Sequence, residues 1–248
     1  MKVSIITVTL NSGDHLEECI NSVVAQDHDD IEYILIDGKS FDNTLQIIKK
    51  YADHIDHFLT ETDRGMYDAI NKGIAMARGE VVGILNSDDI LASNDVISSI
   101  AKAFEEQKVD TLYGDLEYVE TDNMNTIYRV WKGKPYKRSR FNTGWMPAHP
   151  TFYVKRELIE KYGGYENHYF SAADYEFMAR YLFQHRLSSY YLPKLLVKMR
   201  RGGQSNNNLK KRLRANRRDY LAMKRNKIPF PFLVSILKPL SKLHQYRG

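Results

Sequence analysis

Nine consecutive residues, Val81-Val82-Gly83-Ile84-Leu85-Asn86-Ser87-Asp88-Asp89, restrict the fold of this chain more than any other stretch. Five apolar or small residues without a charge suit a strand buried on both faces, as in the middle of a parallel sheet. The run then ends in two adjacent acids, where such a strand leaves the core. Open α/β sheets bind their ligands beyond the carboxyl ends of their strands. Two carboxylates side by side repel unless a positive charge lies between them. A hard divalent cation with oxygen ligands, itself holding a diphosphate, meets that requirement. A turn that caps the following helix is the commoner origin of a lone Asp-Asp pair, so the rest of the chain has to decide.

The rest alternates. Strands are expected at residues 3–10, 33–36, 57–59 and 81–85, with helices at 16–24, 45–51, 66–77 and 94–106 between and after them. The first helix places Leu16, Cys19, Ile20 and Val23 on one face, and the third places Ala69, Ile70, Gly73 and Ile74. This pitch predicts an α/β fold with a doubly wound, mostly parallel sheet and a ligand site at the strand ends. Further strands are expected at 111–119, 126–131, 151–154 and 190–199, helices at 157–162 and 174–183, and loops at 132–147 and 200–205. No G-x-G-x-x-G turn follows the first strand, where only Gly13 is present, and no Walker loop exists. The ligand must therefore be held by side chains at strand ends. Thr7, Thr9 and Asn11 lie two apart and share one side of an extended chain, and Asp37-Gly38 ends the second strand.

With 248 residues the chain can bury one large core plus an extension. Cys19 is the only cysteine, so no disulfide can form within the chain and a reducing cytosol is expected. No secretory signal and no apolar run of the ~20 residues needed to span a bilayer is present. The net charge of +5 hides an asymmetry. Twelve of the 36 Lys/Arg fall from Leu209 onward against one acid, Asp219, leaving 24 bases and 30 acids in front. The expected division is a body, 1–208, and a basic amphipathic tail, 209–248. The tail seeks an anionic surface, either lipid headgroups or nucleic acid. Its apolar residues, from Ile228, Phe230, Phe232 and Val234 to Leu243, lie among lysines and suit a segment lying in the bilayer interface.

Taken together, T-x-T-x-N after the first strand, Asp37 after the second, D-R-G-M-Y-D-A-I-N-K-G-I and L-N-S-D-D resemble the family 2 inverting glycosyltransferases of the GT-A fold. The likeness covers about residues 2–205 and is strongest to a bacterial subgroup that builds exopolysaccharide, O-antigen and colanic-acid-type repeats. It implies a UDP- or GDP-sugar donor, Mn²⁺ or Mg²⁺, and a polyprenyl-diphosphate-linked glycan acceptor at the inner face of the membrane. No nucleic-acid partner is implied, and the oligomeric state is left open, a homo-oligomer included.

The resemblance implies roles position by position. Thr7, Thr9 and Asn11 would line the nucleoside pocket and Asp37 would accept from the base. Asp63, Gly65 and Asn71 would close over the nucleotide. Asn86, Ser87, Asp88 and Asp89 would hold ribose and metal, with Asp88 and Asp89 as metal ligands. Asn86 stands where the family usually has an acid, and it adds no charge. Asp174, in Ser171-Ala172-Ala173-Asp174-Tyr175-Glu176, would be the catalytic base, and here Ala173 replaces the usual Glu. Trp145 and His149 would face the acceptor, and Arg200, Gly203 and Ser205 the diphosphate.

Local chemistry offers a plainer account of several of these. Ser171 and Asp174 have capping-box spacing. The threonines are strand formers. His149 and Trp145 are residue types that also fill cores. Glu176 competes with Asp174 for the base. Two other functions compete. A sugar-phosphate nucleotidyltransferase would carry a glycine-rich N-terminal loop with Arg and Lys, which residues 10–20 lack. A nucleic-acid-binding protein would explain the tail but not the polar strand ends.

Overall fold

The computed structural model describes residues 1–201 and 209–240, with side chains in the second stretch described for 215–235. The elements run β1 (Val3–Thr9), α1 (Leu16–Val24), β2 (Ile31–Asp37), α2 (Thr44–Lys50), β3 (His57–Thr60), α3 (Met66–Met76), β4 (Val81–Asn86), β5 (Ile90–Leu91) and α4 (Val96–Gln107). There follow β6 (Thr111–Glu120), β7 (Asn123–Trp131), β8 (Tyr153–Lys155), α5 (Arg156–Tyr162), α6 (Ala173–Met178), β9 (Ser189–Arg200), α7 (Leu209–Arg225) and α8 (Pro231–Leu240).

The sheet order is β3-β2-β1-β4-β8-β6-β9-β5, with β7 pairing β6. The first four strands are parallel. All seven residues of β1 and the first five of β4 are buried, as expected for strands covered on both faces. Ile6 and Thr7 point to opposite faces. Gly73 of α3 closes on Ile6, where a side chain would collide, and Cys19 of α1 meets Thr7 across the other face. The sheet is therefore doubly wound around β1. Beyond β4 it becomes mixed. The short β8 runs antiparallel to both β4 and β6, while β9 returns parallel to β6. Gly83, in the middle of β4, lies under the ring of Tyr153, and a methyl group there would overlap it.

Two features depart from the sequence reading. The helix expected over 174–183 is α6 followed by a π-helical turn, Ala179–Gln184, which accommodates the nearly buried Arg180. The tail is also not a free interfacial segment. α7 packs on the Asn167–Ala172 turn and α6, and α8 on the Arg138–Thr143 turn. Ala222, Met223, Ile228 and Val234 are buried. Ile228 and Val234 therefore belong to the protein interior rather than to a lipid-facing stripe. Among the described residues no helix is long and apolar enough to cross a membrane.

Candidate functional site

The parallel half sets a row of polar residues along its carboxyl edge. In register, Thr9 lies opposite Asp37, Asp37 opposite Thr60, and Asn86 one step back beside Val8. Asp37 is fully buried and accepts from the Ser40 amide (3.1 Å), the Ser40 hydroxyl (2.5 Å) and the Thr60 hydroxyl (2.6 Å). Ser40 Oγ also accepts from the Asn11 amide at 2.8 Å, and Asn11 Oδ1 accepts from the Phe41 amide at 3.0 Å. Asn11 makes this turn at φ 51, a left-handed conformation that Asn tolerates. Asp37 thus organises the loops after β1 and β2, with three protein donors on its carboxylate where a base was expected. Asp63 Oδ1 accepts from the Gly65 amide at 2.8 Å, and its other oxygen packs against Gly38, where only a residue without a side chain fits. Gly65 leads into α3 at φ 112.

Thr7 requires correction. It sits two residues below the strand end, fully buried, its hydroxyl accepting from Tyr33 at 3.2 Å and lying 3.9 Å from Cys19 Sγ. Strand alternation puts it on the same face as Thr9 but one step deeper, so it belongs to the core under the site. Burial also pushes the Cys19 thiol up to about 12, so this cysteine is not a reactive thiolate.

The acidic turn after β4 is tightly built. The Asp89 amide donates to Asn86 O (3.0 Å), and Asn86 Nδ2 donates to Asp89 Oδ2 (2.8 Å). Ser87 Oγ meets Ser12 Oγ at 2.8 Å. Arg200, 3% exposed, donates to Asp88 O (2.7 Å), Thr121 O (3.2 Å) and Glu18 Oε2 (2.5 Å). Its donors bind protein, so it positions the backbone of Asp88 instead of meeting a diphosphate directly. Gly203 and Ser205, the other expected diphosphate contacts, lie outside the described residues.

Asp88 is half-buried, while Asp89 is fully buried. Burial, and then the charge of Asp88, push the Asp89 carboxyl well above its ordinary range, with Asn86 and Arg200 acting the other way. Among the described residues, three buried oxygens at these strand ends have no hydrogen-bond partner: Thr9 Oγ1, Asn86 Oδ1 and Asp89 Oδ1. All are hard donors, and a cation beside Asp88 and Asp89 would relieve the repulsion that raises Asp89. The residues therefore fit Mg²⁺ or Mn²⁺. They do not enclose it, since no cluster of three or more His, Cys, Asp or Glu suited to a metal exists among the described residues.

A second group forms around Tyr165. Tyr67, two residues beyond Gly65, stacks on Tyr165 with centroids 5.4 Å apart, and His149 lies edge-on to Tyr165 at 5.5 Å. His149 Nε2 is 2.7 Å from the Tyr165 hydroxyl. Burial lowers the His149 pKa, although the Asp174 charge opposes this. Tyr67 and Tyr165 are raised well above the usual phenol range, by burial first and then by Asp174. Asp174 is half-exposed near the start of α6. Among the described residues its Oδ1 accepts from the next amide, Tyr175, at 2.7 Å, and the helix has no side-chain cap. The capping box that competed with a base role for Asp174 is absent, and its charge acts on the buried Tyr67, His149 and Tyr165.

Three more of the residues singled out make structural contacts. Asn71 was expected over the nucleotide. Its amide instead donates to Tyr165 O and accepts from Tyr165 N, both at 2.8 Å. Asn carries one donor and one acceptor spaced like a peptide, and here it clamps the 163–166 segment to α3. Trp145 is partly buried, edge-on to Tyr113 and Phe141 at 5.9 and 5.8 Å, a wall of the aromatic core. Glu176, the rival base, is fully buried in a bidentate pair with Arg180. The sequence reading missed Ser40, Thr60, Tyr165 and Arg180. Thr60 was within reach through the parallel register with Asp37, Ser40 through its turn chemistry three residues beyond Asp37, and Arg180 through its spacing of four from Glu176; Tyr165 carried no local signal.

Residues 4–163 match the glycosyl transferase family 2. A glycosyltransferase of Mycobacterium tuberculosis described as uncharacterised is 32% identical over 181 residues, 72% of this chain and 68% of that protein. The S. aureus protein TarS superimposes with a TM-score of 0.68 at 20% identity, covering 90% of this chain but only 39% of TarS. Its 1-349 portion was also solved with UDP-GlcNAc. A mannosyltransferase from Pyrobaculum calidifontis, solved with GDP-Man and Mn²⁺, has a TM-score of 0.66 at 19% identity, covering 98% of this chain and 70% of that one. These solved structures share the fold, and the match over 4–163 shows that the chain belongs to glycosyl transferase family 2.

Proposed function

We propose that the protein transfers a sugar from a nucleoside diphosphate sugar, with UDP or GDP as nucleotide, to a hydroxyl of a glycan acceptor, with inversion at the anomeric carbon. The observation that carries this reading is the oxygen set at the carboxyl edge of the parallel strands. Asp88 and Asp89 follow Asn86 at the end of β4, where Asn86 Oδ1 and Asp89 Oδ1 are buried and unpartnered among the described residues, as is Thr9 Oγ1 at the end of the neighbouring β1. Asp88 and Asp89, with help from Asn86, would hold Mg²⁺ or Mn²⁺, and diphosphate oxygens would complete its shell. When bound, the cation offsets charge on the departing diphosphate. The UDP-GlcNAc and GDP-Man/Mn²⁺ complexes of the structural neighbours support the same chemistry here.

The chain's own residues divide the remaining work. The Asp37–Ser40–Asn11 network and the Asp63–Gly65 loop shape the nucleoside end. Asp174 takes the proton from the acceptor hydroxyl as its oxygen bonds to the anomeric carbon. The bond from that carbon to the diphosphate oxygen breaks, and its electron pair leaves with the nucleoside diphosphate. His149 and Tyr165, both buried, form a floor beside Asp174 on the acceptor side. The acceptor we assign is a lipid-linked glycan of a bacterial surface polysaccharide, with the enzyme peripheral on the inner face of the membrane. The basic tail and the sequence resemblance support that assignment.

Calorimetry with UDP and GDP tests the site. Binding is expected to be weak in EDTA and stronger in Mn²⁺, and to lose its metal dependence in Asp88→Ala and Asp89→Ala. Equal affinity in both buffers, with both variants unchanged, would sink the reading. Slow Mn²⁺-dependent hydrolysis of UDP- or GDP-sugars would support it, and its pattern would identify the donor base.

A further inference from the structure

The tail's docking onto the domain leaves a particular surface outside. Lys227 and Phe230 both adopt left-handed backbone, at φ 57 and φ 50, on either side of Ile228-Pro229. The turn between α7 and α8 is held from both directions. Ile228 N donates to Met223 O and Val234 N donates to Phe230 O, both at 3.0 Å. Asn226, fully buried, donates to Ala222 O at 2.9 Å and to Glu176 Oε1 at 3.3 Å. With Ile228 and Val234 turned inward, Phe230, Phe232 and Leu233 project at 76%, 70% and 54% exposure. Exposed Lys224, Arg225 and Lys227 precede them directly in the chain. The result is an exposed apolar knuckle preceded in the chain by three exposed cations.

We infer that this knuckle is the element that docks the enzyme on an anionic lipid surface. Phe230, Phe232 and Leu233 enter the headgroup boundary, and Lys224, Arg225 and Lys227 meet lipid phosphates. The inference deepens the proposed peripheral membrane association and rests on it. Charge selects the occupant. The sole acid from Leu209 onward is Asp219, so a second copy meeting this surface tail to tail would bring like charges to the contact. A nucleic acid would match the cations but gains little from an exposed leucine between phenylalanines. A bilayer with anionic headgroups satisfies both halves. The placement has a mechanical consequence. α7 packs on the Asn167–Ala172 turn that runs into α6, and Asn226 bonds Glu176 in the same helix as Asp174. Docking the knuckle would therefore hold the base-bearing helix at a fixed height above the lipid that carries the acceptor.

Flotation of the full chain with vesicles of phosphatidylglycerol and phosphatidylcholine, against phosphatidylcholine alone, tests this. The wild type is expected to float with the anionic vesicles at low salt and to remain behind with the neutral ones. Each cation near such a surface contributes roughly five-fold in partitioning, so Lys224→Glu/Arg225→Glu/Lys227→Glu should lower binding by at least about 100-fold. Phe230→Ser/Phe232→Ser should lower it by at least about 10-fold. Both variants should keep wild-type Mn²⁺-dependent UDP or GDP binding, which also certifies their folding. If the wild type does not float, the peripheral membrane reading falls together with the knuckle. If it floats and the variants float equally well, only the knuckle is overturned. Phe230→Ser/Phe232→Ser that floats normally but converts a dimer to a monomer in sedimentation assigns the surface to a second copy. Displacement from vesicles by RNA at lower concentration than by soluble phosphatidylglycerol headgroup assigns it to nucleic acid.

Discussion

Asp174 and Glu176 stand two residues apart on one short helix and have opposite environments. Asp174 is half-exposed, with one donor to its carboxylate among the described residues. Glu176 is fully buried between Arg180 and Asn226. A general base must reach the proton it abstracts, and only Asp174 is open to an acceptor. Because the helix has no side-chain cap, replacing Asp174 should cost well under the roughly 1 kcal/mol of a lost cap. Asp174→Asn is expected to melt near the wild type, to keep Mn²⁺-dependent nucleotide binding, and to lose at least about 100-fold in transfer rate. Transfer at a near-normal rate would remove Asp174 from the base role. The same contrast shows what was readable beforehand. Residue types and spacing singled out Asp174 and Asp88-Asp89, but whether a carboxylate ends up open or locked depends on groups far away in the chain, such as Asn226.

At the level of elements, one buried guanidinium holds the acceptor side together. Arg180, in the π-helical turn, pairs with both oxygens of Glu176 and donates to Tyr162 O (2.5 Å), Gly163 O (3.0 Å) and Gly164 O (2.6 Å). It thus ties the end of α5 to α6, next to the Gly164 backbone on which Asn71 closes. Arg180→Met would strand a buried carboxylate together with three carbonyls. Breaking such a pair costs about 3–5 kcal/mol, or roughly 10 °C in melting temperature for a chain of this size. Glu176→Gln should cost much less, because Arg180 keeps its carbonyls, and should retain transfer. Thermal melts of the two variants give the comparison; equal and small losses would mean the bridge contributes little. Arg and Glu four apart suggest only an ordinary helix pair, and the three carbonyls are invisible without the chain reversal at Gly163-Gly164.

For the whole molecule, charge suggested a boundary at 208/209, and packing crosses it. Met223, Ile228 and Val234 are buried, and Asn226 reaches Glu176. A chain ending at Asn208 would expose the apolar surface under α7 and α8 and remove a donor from a buried carboxylate. It is expected to melt at least several degrees below the full chain, because each fully buried large apolar side chain contributes about 1.5–3 kcal/mol. A melting temperature within a degree of the full chain would show that the tail is an independent appendage.

The amino-acid sequence by itself determined most of the elements and the edge on which the candidate site lies. Period-2 and period-3.6 patterns act between near neighbours, so β1 to β4, α1 to α4 and the polar residues ending β1, β2 and β4 follow from local spacing. Register then placed Thr9, Asp37 and Asn86 along one edge. What only the tertiary structure decided is which of these side chains remain open for a ligand. Thr7 was taken by Tyr33, Asn71 by Tyr165 and Arg200 by Glu18, partners 26, 94 and 182 residues away. Ile228 and Val234 were likewise taken into the core. A polar atom leaving water must find a partner, and that partner is chosen by how strands and helices pack across the molecule, information that no local pattern contains.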